Sequence, residues 1–332
     1  MTLRQNERCF TSEPMNSDSE TWDVPLCFGA APIGNLFSAI SDAQARAALE
    51  RAWLLGLCRI DTAPFYGHGL SEQRIGDFHR ACSTRRFAVS TKVGRRLEPG
   101  PPLAPTGFVD TPPCHPVFDY SRNGILRAFE ASLLRLGVDR VDTRLLHDIG
   151  SVVHGQDAHP AILAQALDEA LPAMHELKAQ GLAGRIGLGV NEWQVCAEVL
   201  ARTDLDVVLL AGRYTLLDQS GADFLGAAAD RGVAIMAAGI FNSGLFAGGT
   251  TFNYAPAPPA LVERCNAIAA VCARHGVALP AAAMHFAAMH PAVSELVLGF
   301  RTAEQVADAV RWHREPPPST LWDDLRAERL IP

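Results

Sequence analysis

Residues 26–61 read LCFGAAPIGNLFSAISDAQARAALERAWLLGLCRID, and they alternate a short apolar run, a segment of helical period and a second apolar run. In the middle segment, Ser41 can cap the start of a helix and Gly56 can close its end. The helical period places on one face the residues Ala45, Ala48, Leu49, Ala52 and Leu55. This stretch therefore predicts a strand, an amphipathic helix and a second strand.

The same alternation continues almost to the end of the chain. Besides the runs at 26–30 and 56–61, strand-like runs lie at 87–93, 141–147, 185–190, 206–211, 233–239 and 295–300. Eight apolar strands separated by helices predict a parallel sheet covered by helices, and the count favours a closed (β/α)8 TIM barrel, one domain over residues 23–332. A doubly wound sheet is the alternative, but its G-x-G-x-x-G fingerprint is absent, since GLGVNE (187–192) ends in Glu192.

Three segments fall outside this alternation. Residues 94–120, rich in proline, and residues 240–258 exceed normal loop length, and each follows a predicted strand. We therefore expect both loops at the C-terminal face of the barrel, where long loops usually carry function. Residues 1–22 are polar and weakly patterned, which predicts a poorly ordered tail.

Charge and composition disfavour some classes of binding partner. Lys and Arg number 29 and Asp and Glu number 36, a net charge of −7 without a basic cluster, so nucleic acid and anionic membranes are poor partners. The sequence has neither a signal peptide nor a run of about eighteen apolar residues. The eight cysteines lack C-x-x-C spacing and are interpreted as reduced thiols. We expect a cytoplasmic protein, and the sequence is silent on its oligomeric state.

Polar side chains lie at the ends of three predicted strands, where a barrel carries its chemistry. Asp61 ends the second strand, and Tyr66 follows five residues later; Lys92 lies near the end of the third strand and His147 ends the fourth. A tyrosine is an acid or base near neutral pH only if a cation stabilises its phenolate. Lys92 can supply that charge, Asp61 would keep Lys92 protonated, and a neutral His147 would orient the reacting oxygen.

Other interpretations of these residues remain open. Each taken alone could be structural, Asp61 as a turn former and Lys92 as a solvated charge. Lys92 could instead form the Schiff base of a lyase, although pairing with Asp61 would hold it protonated. The tract HDIGSVVHGQDAHP (147–160) could suggest a metal site through His147, His154 and His159, but we expect no metal.

The segments IDTAPFYGHGLSEQRIG (60–76), STKVG (90–94) and LLHD (145–148) resemble the signatures of the aldo-keto reductase family. In order and spacing, the family's catalytic tetrad matches Asp61, Tyr66, Lys92 and His147. The resemblance implies that Tyr66 is the general acid/base, that Lys92 and Asp61 tune it, and that His147 positions the substrate. It also implies a nicotinamide cofactor extended across the barrel mouth and a reaction without a metal.

The resemblance extends to the family's cofactor contacts, which fall on Asn191, Tyr214, Gly299, Arg301, Thr302 and Gln305. Asn191 would bind the carboxamide, and Tyr214 would stack on the nicotinamide ring. The chain departs from the pattern at Val190, where many members have Ser, and at Ala211, where a Gln is frequent.

The choice between NAD and NADP depends on two further departures. Gly299 and Gln305 stand where members specific for the phosphorylated cofactor carry Lys and Arg. Losing both cations removes the charge-assisted contacts that select a phosphate, so the resemblance implies NAD. Arg301 lies nearby and leaves NADP possible.

The substrate is suggested by LCFGAAPIGNLF (26–37), FVDTPPCHPVFDYS (108–121) and LLAGRYTLLDQ (209–219). These are similar to a bacterial branch that oxidises L-fucose, D-arabinose or L-galactose at the hemiacetal carbon, and to pyridoxal 4-dehydrogenase. We expect an aldose oxidised to a lactone, with pyridoxal, giving 4-pyridoxolactone, as the alternative. A carbonyl reductase or a regulatory subunit that binds nicotinamide without turnover is a further alternative. The residues expected to contact the substrate are Phe118, Asp119, Tyr120 and Trp193.

Overall fold

A computed structural model describes residues 24–82, 86–253 and 255–332, and the predicted tail, residues 1–22, lies outside them. The barrel strands are β1 (Leu26–Gly29), β2 (Arg59–Asp61), β3 (Ala88–Val93), β6 (Val141–His147), β7 (Ala183–Val190), β8 (Val207–Ala211), β9 (Ala234–Ala238) and β12 (Val293–Gly299). Within the described residues these eight parallel strands close in the order β1-β2-β3-β6-β7-β8-β9-β12. The predicted single-domain (β/α)8 barrel is confirmed.

Helices cover the outside of the barrel and fill the connections. In chain order the α-helices are Asp42–Leu54, Leu70–Ala81, Arg122–Leu136, Ser151–His154, His159–Gln165, Leu171–Ala179, Trp193–Leu200, Ala222–Asp230, Pro259–Arg274, Leu279–Ala288, Ala303–Arg314 and Ser319–Ala327. Short 3-10 turns occur at Pro32–Gly34 and Asn242–Ala247, and one π-helical turn, Ala166–Ala170, precedes Leu171–Ala179.

The first helix shows how the sequence sets an element's limits. Ser41 accepts a hydrogen bond from the Gln44 backbone while the Gln44 side chain accepts one from the Ser41 backbone, a capping box that satisfies two amides. The predicted apolar face is buried through Ala45, Ala48, Leu49 and Ala52. Gly56, at φ +90°, ends the segment in a conformation that favours glycine. The predicted helix is confirmed.

The inside of the barrel is apolar in its middle and ionic at its floor. The interior cluster consists of Cys27, Leu145, Val207, Leu209, Met236 and Val297. Below it, at the N-terminal ends of the strands, the buried carboxylate of Glu295 pairs with Arg59 at 3.0 Å and with Arg185 at 2.8 Å. Ionic groups at this floor brace the strands, so the polar groups available for chemistry lie at the opposite mouth.

The two long loops contain structure that the sequence did not suggest. In residues 94–120, β4 (Arg95–Pro99) pairs with β5 (Cys114–Phe118) as an antiparallel hairpin. In residues 240–258, a shorter pair forms between β10 (Thr251–Phe252) and β11 (Ala255–Pro256). Both hairpins are separate from the barrel sheet. Each of their strands is an edge strand, and an edge strand tolerates proline.

Two further properties bear on the expectations from sequence. In the described part of the chain, no single helix is long and apolar enough to cross a membrane. Pro259–Arg274 and Leu279–Ala288 meet such a test only together, with a 97° bend between them. The interpretation of the cysteines as reduced thiols holds for six of the described residues. The cysteines with free thiols are Cys27, Cys82, Cys114, Cys196, Cys265 and Cys272.

Candidate active site

An ion pair between Lys92 and Asp61 lies at the C-terminal mouth of the barrel. Lys92 Nζ donates to Asp61 Oδ2 at 2.6 Å and to the carbonyl oxygen of Thr62 at 3.0 Å. The hydroxyl of Ser90 donates to the other Asp61 oxygen at 2.8 Å. The two side chains are only 1% and 3% exposed, so water screens the pair little.

The charge of Lys92 is fixed by this pairing. Burial lowers the pKa of Lys92, but the charges of Asp61 and Tyr66 and hydrogen bonds to both outweigh burial and hold the pKa above its usual value. Burial raises the pKa of Asp61, and Lys92 and Ser90 offset only part of that rise. A Schiff-base lysine needs a lowered pKa, so this environment disfavours a lyase with Lys92 as its nucleophile.

The Tyr66 side chain lies against Lys92 and His147. Lys92 Nζ is 4.7 Å from the centroid of the Tyr66 ring. The His147 ring meets the Tyr66 ring nearly at right angles, with 6.1 Å between centroids. On another side, the ring of Phe108, from the loop 94–120, lies 6.0 Å away. The four residues predicted from sequence are therefore close together at one mouth.

Glycines hold the Tyr66 loop in place. A Cβ on Gly34 would lie 2.8 Å from the carbonyl carbon of Tyr66, and one on Gly67 would lie 2.3 Å from the Gly34 oxygen. Gly67 also has φ +62°, which strains other residues. The turn after β1 and the Tyr66 loop thus pack backbone on backbone, which fixes where the tyrosine begins.

His147 is buried as a neutral imidazole. Burial, together with the positive charges of Arg95 and Lys92, holds the pKa of His147 well below its usual value. Its Nε2 is 3.4 Å from Asp148 Oδ2. A neutral ring has one N–H to donate, and its donation to a reacting oxygen stays a prediction.

The residues expected to contact substrate differ in how far their side chains are buried. Phe118, the last residue of β5, is 41% exposed, and its ring lies 4.5 Å from the guanidinium carbon of Arg95. Tyr120 is buried, and its hydroxyl lies 3.0 Å from the His147 oxygen and 2.7 Å from the Asp148 oxygen. Tyr120 therefore supports the His147 segment, and substrate contact by either aromatic residue stays a prediction.

The other two substrate candidates are engaged elsewhere. Asp119 accepts hydrogen bonds from Arg96 at 2.6 Å and from the Ser121 hydroxyl at 2.5 Å. Trp193 begins its helix, is partly buried and packs against the core between strands and helices. Their contact with substrate also stays a prediction.

The residues expected to hold a cofactor lie along the rim. Asn191 follows β7 directly and is half-buried. Tyr214 follows β8, and its ring stacks on Phe286 at 5.3 Å with the His290 ring at its edge. Phe286 covers one face of Tyr214, so at most the other face can meet a nicotinamide.

The remaining cofactor candidates cluster after β12. Thr302 caps the helix Ala303–Arg314 in a capping box with Gln305. The Arg301 guanidinium bonds to the Ser38 hydroxyl and the Leu36 carbonyl oxygen. Arg301, Thr302 and the start of this helix therefore form one surface with the turn after β1.

This surface fits a phosphate-bearing cofactor. Gly29 and Gly299 are register partners on neighbouring strands, so neither position contributes a side chain to the rim. A Cβ on Gly299 would lie 3.0 Å from Pro32, and one on Gly29 would lie 3.0 Å from the Leu298 oxygen. Glycine backbone beside a helix N-terminus suits an anionic group.

Several residues that the structure brings to the site were not predicted as site residues from the sequence. Phe65 and Phe108 pack edge to face at 5.3 Å beside Tyr66. Arg95 forms a buried ion pair with Asp148, next to His147. Two signals existed: Asp148 directly follows His147 in LLHD, and the loop 94–120 was expected at this face. Among the described residues, no group of three or more His, Cys, Asp or Glu is placed to hold a metal ion.

Comparison with known proteins identifies the family that the chain resembles. The family described as "Aldo/keto reductase family" matches residues 25–319. The chain is 41% identical over 322 residues to a pyridoxal 4-dehydrogenase of Microbacterium luteolum, covering 92% of this chain and 94% of that protein. It is 38% identical over 319 residues to a D-threo-aldose 1-dehydrogenase of a Pseudomonas species, with the same two coverages. A holo-form aldo-keto reductase from Bacillus halodurans, at 21% identity, matches in fold with a TM-score of 0.68 over 92% of each chain.

Proposed function

Because the chain belongs to the aldo/keto reductase family, we propose that it oxidises the hemiacetal carbon of a cyclic substrate to a lactone with a nicotinamide cofactor. One observation carries this proposal above the others. The ammonium of Lys92 is held between the carboxylate of Asp61 and the side chain of Tyr66. A permanently charged ammonium at that position stabilises a tyrosine phenolate, which is the base that hemiacetal oxidation needs.

The residues of the chain divide the proton chemistry among themselves. The Tyr66 phenolate takes the proton of the hemiacetal hydroxyl as the carbon–oxygen double bond forms. Lys92 stabilises the phenolate beforehand, and Asp61 keeps Lys92 charged and in place. Neutral His147 donates its N–H to the reacting oxygen and fixes the direction of that bond. A bound nicotinamide supplies the hydride acceptor, and Asn191 with the Gly299 and Arg301 rim would hold it.

We propose pyridoxal as the first candidate substrate, ahead of the aldose expected from the sequence. The rings of Phe65 and Phe108 pack around Tyr66, and the Phe118 ring lies 4.5 Å from the guanidinium carbon of Arg95. Aromatic walls suit a flat ring, because stacking is worth about 0.5–1.5 kcal/mol beyond area burial. The relative at 41% identity is named for pyridoxal, in agreement with this preference.

An aldose is the second candidate. His147 provides a hydrogen-bonding group next to the rings, as a sugar hydroxyl requires. The relative at 38% identity is named for an aldose. Both candidates close to a cyclic hemiacetal, so the proposed proton chemistry is the same for each.

We also propose NAD as the cofactor. Gln305 is committed to capping its own helix, and the Arg301 guanidinium is committed to the turn after β1. Neither side chain is arranged to receive an additional phosphate. NADP would have to displace these bonds, which costs affinity.

The test pairs NAD or NADP with pyridoxal, L-fucose, D-arabinose and L-galactose at mildly alkaline pH and follows the absorbance of the reduced cofactor. The product is identified by mass as the lactone. Tyr66→Phe serves as the control for adventitious oxidation. Reduction of NAD with pyridoxal, and lactone formation that Tyr66→Phe abolishes, is the expected result. A preference for a sugar would move the substrate to the second candidate, and no reduction with any of the four would contradict the proposed function.

A further inference from the structure

Arg95 connects three segments of the active-site mouth. It is buried and is the first residue of β4, directly after Gly94, which follows β3. Its guanidinium carbon lies 3.9 Å from the centroid of the Phe65 ring and 4.5 Å from that of Phe118. The same guanidinium forms an ion pair with Asp148. One side chain thus contacts the Tyr66 loop, the hairpin and the segment after β6.

These contacts are next to two of the proposed catalytic residues. Phe65 directly precedes Tyr66, and Asp148 directly follows His147. The Phe65 ring also packs edge to face against the His147 ring, with 6.1 Å between centroids. A displacement of the Arg95 guanidinium would therefore move the neighbours of both residues at once.

The segment that Asp148 belongs to needs such support. Asp148 has φ +50°, in the left-handed region that costs a non-glycine residue free energy. Its carbonyl oxygen accepts a hydrogen bond from the Tyr120 hydroxyl, and its carboxylate faces Arg95. Both interactions hold the chain in that conformation, which sets the direction in which His147 leaves β6.

A buried ion pair is a poor source of stability, because desolvation offsets most of its Coulomb attraction. Two apolar residues could fill the same space at equal or lower free energy. We therefore expect Arg95 to affect the geometry of the site rather than the stability of the fold.

We propose that Arg95 is a positioning residue that sets the separation and orientation of Tyr66 and His147 during the reaction. This inference rests on the proposed function, in which those two residues handle the proton and the reacting oxygen. Arg95 acts through Phe65 and Asp148 and does not itself touch the reacting atoms.

A pH dependence follows from the charges around His147. The titratable and charged groups that face it are Lys92 on β3, Tyr66 from the loop after β2, Arg95 on β4, Tyr120 after β5 and Asp148 on its own segment. The charge of Arg95 helps to lower the pKa of His147. Without that charge the pKa of His147 rises, so His147 becomes protonated, and the reaction slows, at a higher pH than in the wild type.

The experiment compares Arg95→Met and Arg95→Lys with the control Arg96→Met. Arg96 is the next residue of the same strand, and it pairs with Asp119 and Glu98 outside the catalytic residues. For each variant, kcat, KM and the pH profile are measured with pyridoxal and with L-fucose, and His147 is titrated by NMR in the cofactor-free protein. Cofactor affinity is measured by fluorescence quenching.

In Arg95→Met, we expect kcat to fall about 10- to 100-fold, the size of a small misplacement of reacting groups, with a smaller change in KM and unchanged cofactor affinity. The acid limb of kcat and the NMR titration of His147 should both move to higher pH. Arg95→Lys keeps the charge but not the planar stack, so it should restore the titration more fully than kcat. Arg96→Met should match the wild type.

Three results would overturn the inference. They are wild-type kcat and pH profile in Arg95→Met, equal losses in Arg95→Met and Arg96→Met, or a fall in cofactor affinity that accounts for the whole loss. If Arg95→Met does not fold, Asp148→Asn breaks the same ion pair with a smaller change. It removes a negative charge beside His147, so kcat should fall without a rise in the pKa of His147, and a wild-type kcat would overturn the inference. Tyr66→Phe is measured in parallel. Turnover retained there would contradict the proposed function itself, whereas an inactive Tyr66→Phe beside a normal Arg95→Met contradicts only the role of Arg95.

Discussion

Replacing Arg144 by methionine is predicted to stabilise the protein. Arg144 lies on β6 with 0% of its surface exposed, and its guanidinium carbon is 3.0 Å from the centroid of the Phe129 ring. None of its three side-chain nitrogens has a hydrogen-bond partner among the described residues. A buried guanidinium without a carboxylate is one of the most costly groups that a core can contain.

The size of the effect follows from the pKa of Arg144. Burial lowers the pKa of Arg144 from the ordinary arginine value to about 8, which corresponds to roughly 6 kcal/mol between the two protonation states. That is an upper limit, because the side chain also buries apolar stem and stacks on Phe129. Methionine keeps an unbranched stem and a favourable contact between sulfur and ring. We expect Arg144→Met to raise the free energy of unfolding by about 1–4 kcal/mol near neutral pH.

The pH dependence of this gain has a definite sign. The pKa of Arg144 is lower in the folded than in the unfolded state, so the unfolded state binds more protons once the pH rises above about 8. The penalty is complete below about pH 8 and declines as the pH rises above it. The gain in the free energy of unfolding from Arg144→Met should therefore be largest at neutral pH and smaller at about two pH units above neutral.

Urea unfolding followed by tryptophan fluorescence at the two pH values measures both quantities. Leu146→Met is the matched control, because Leu146 is a buried residue of the same strand with no charge to remove. It should lose less than about 1.5 kcal/mol, with no dependence on pH in this interval. A free energy of unfolding for Arg144→Met at or below that of the wild type would refute the reasoning, and so would a gain independent of pH.

Three further predictions concern the site. Lys92→Met should abolish turnover and lower the free energy of unfolding by about 3–5 kcal/mol, because Asp61 is left buried without its partner. The double variant Lys92→Met/Asp61→Leu should recover stability but not turnover. Urea unfolding and rate assays measure the two effects. Gly67→Ala should lower both stability and kcat, because its Cβ would lie 2.3 Å from the Gly34 oxygen at φ +62°, whereas a wild-type melting curve would contradict the close packing of the two turns. Phe108→Ala should raise KM for pyridoxal more than KM for L-fucose, and equal changes would contradict ring stacking at this residue.

The barrel was accessible from the sequence because its strands are local patterns. The run VDTRLLH, predicted at 141–147, is β6 with identical limits, and the other barrel strands differ from their predictions by a few residues at their ends. The hairpin in residues 94–120 was not predicted. Pro99 and Pro116 interrupt its apolar alternation, and its pairing is fixed by contacts with the rest of the mouth rather than by local propensity.

The site was predictable in part for the same reason. Asp61, Lys92 and His147 end strands, so the parallel topology brings them together without knowledge of any loop. Phe108 and Arg95 reach the site through tertiary contacts of the hairpin and its loop, and no spacing in the sequence encodes that approach. Tyr120 was expected to meet the substrate, but whether an aromatic residue of a loop is exposed depends on how the loop folds.

The central claim is that Tyr66, held by Lys92, takes the proton when the hemiacetal carbon is oxidised. The most direct measurement compares single-turnover reduction of NAD by wild type and Tyr66→Phe with pyridoxal and L-fucose, alongside NAD binding to each protein. The account predicts unchanged NAD affinity and a rate at least about 100-fold lower in Tyr66→Phe, the loss expected for removing a general base. A Tyr66→Phe rate close to that of the wild type would contradict the claim.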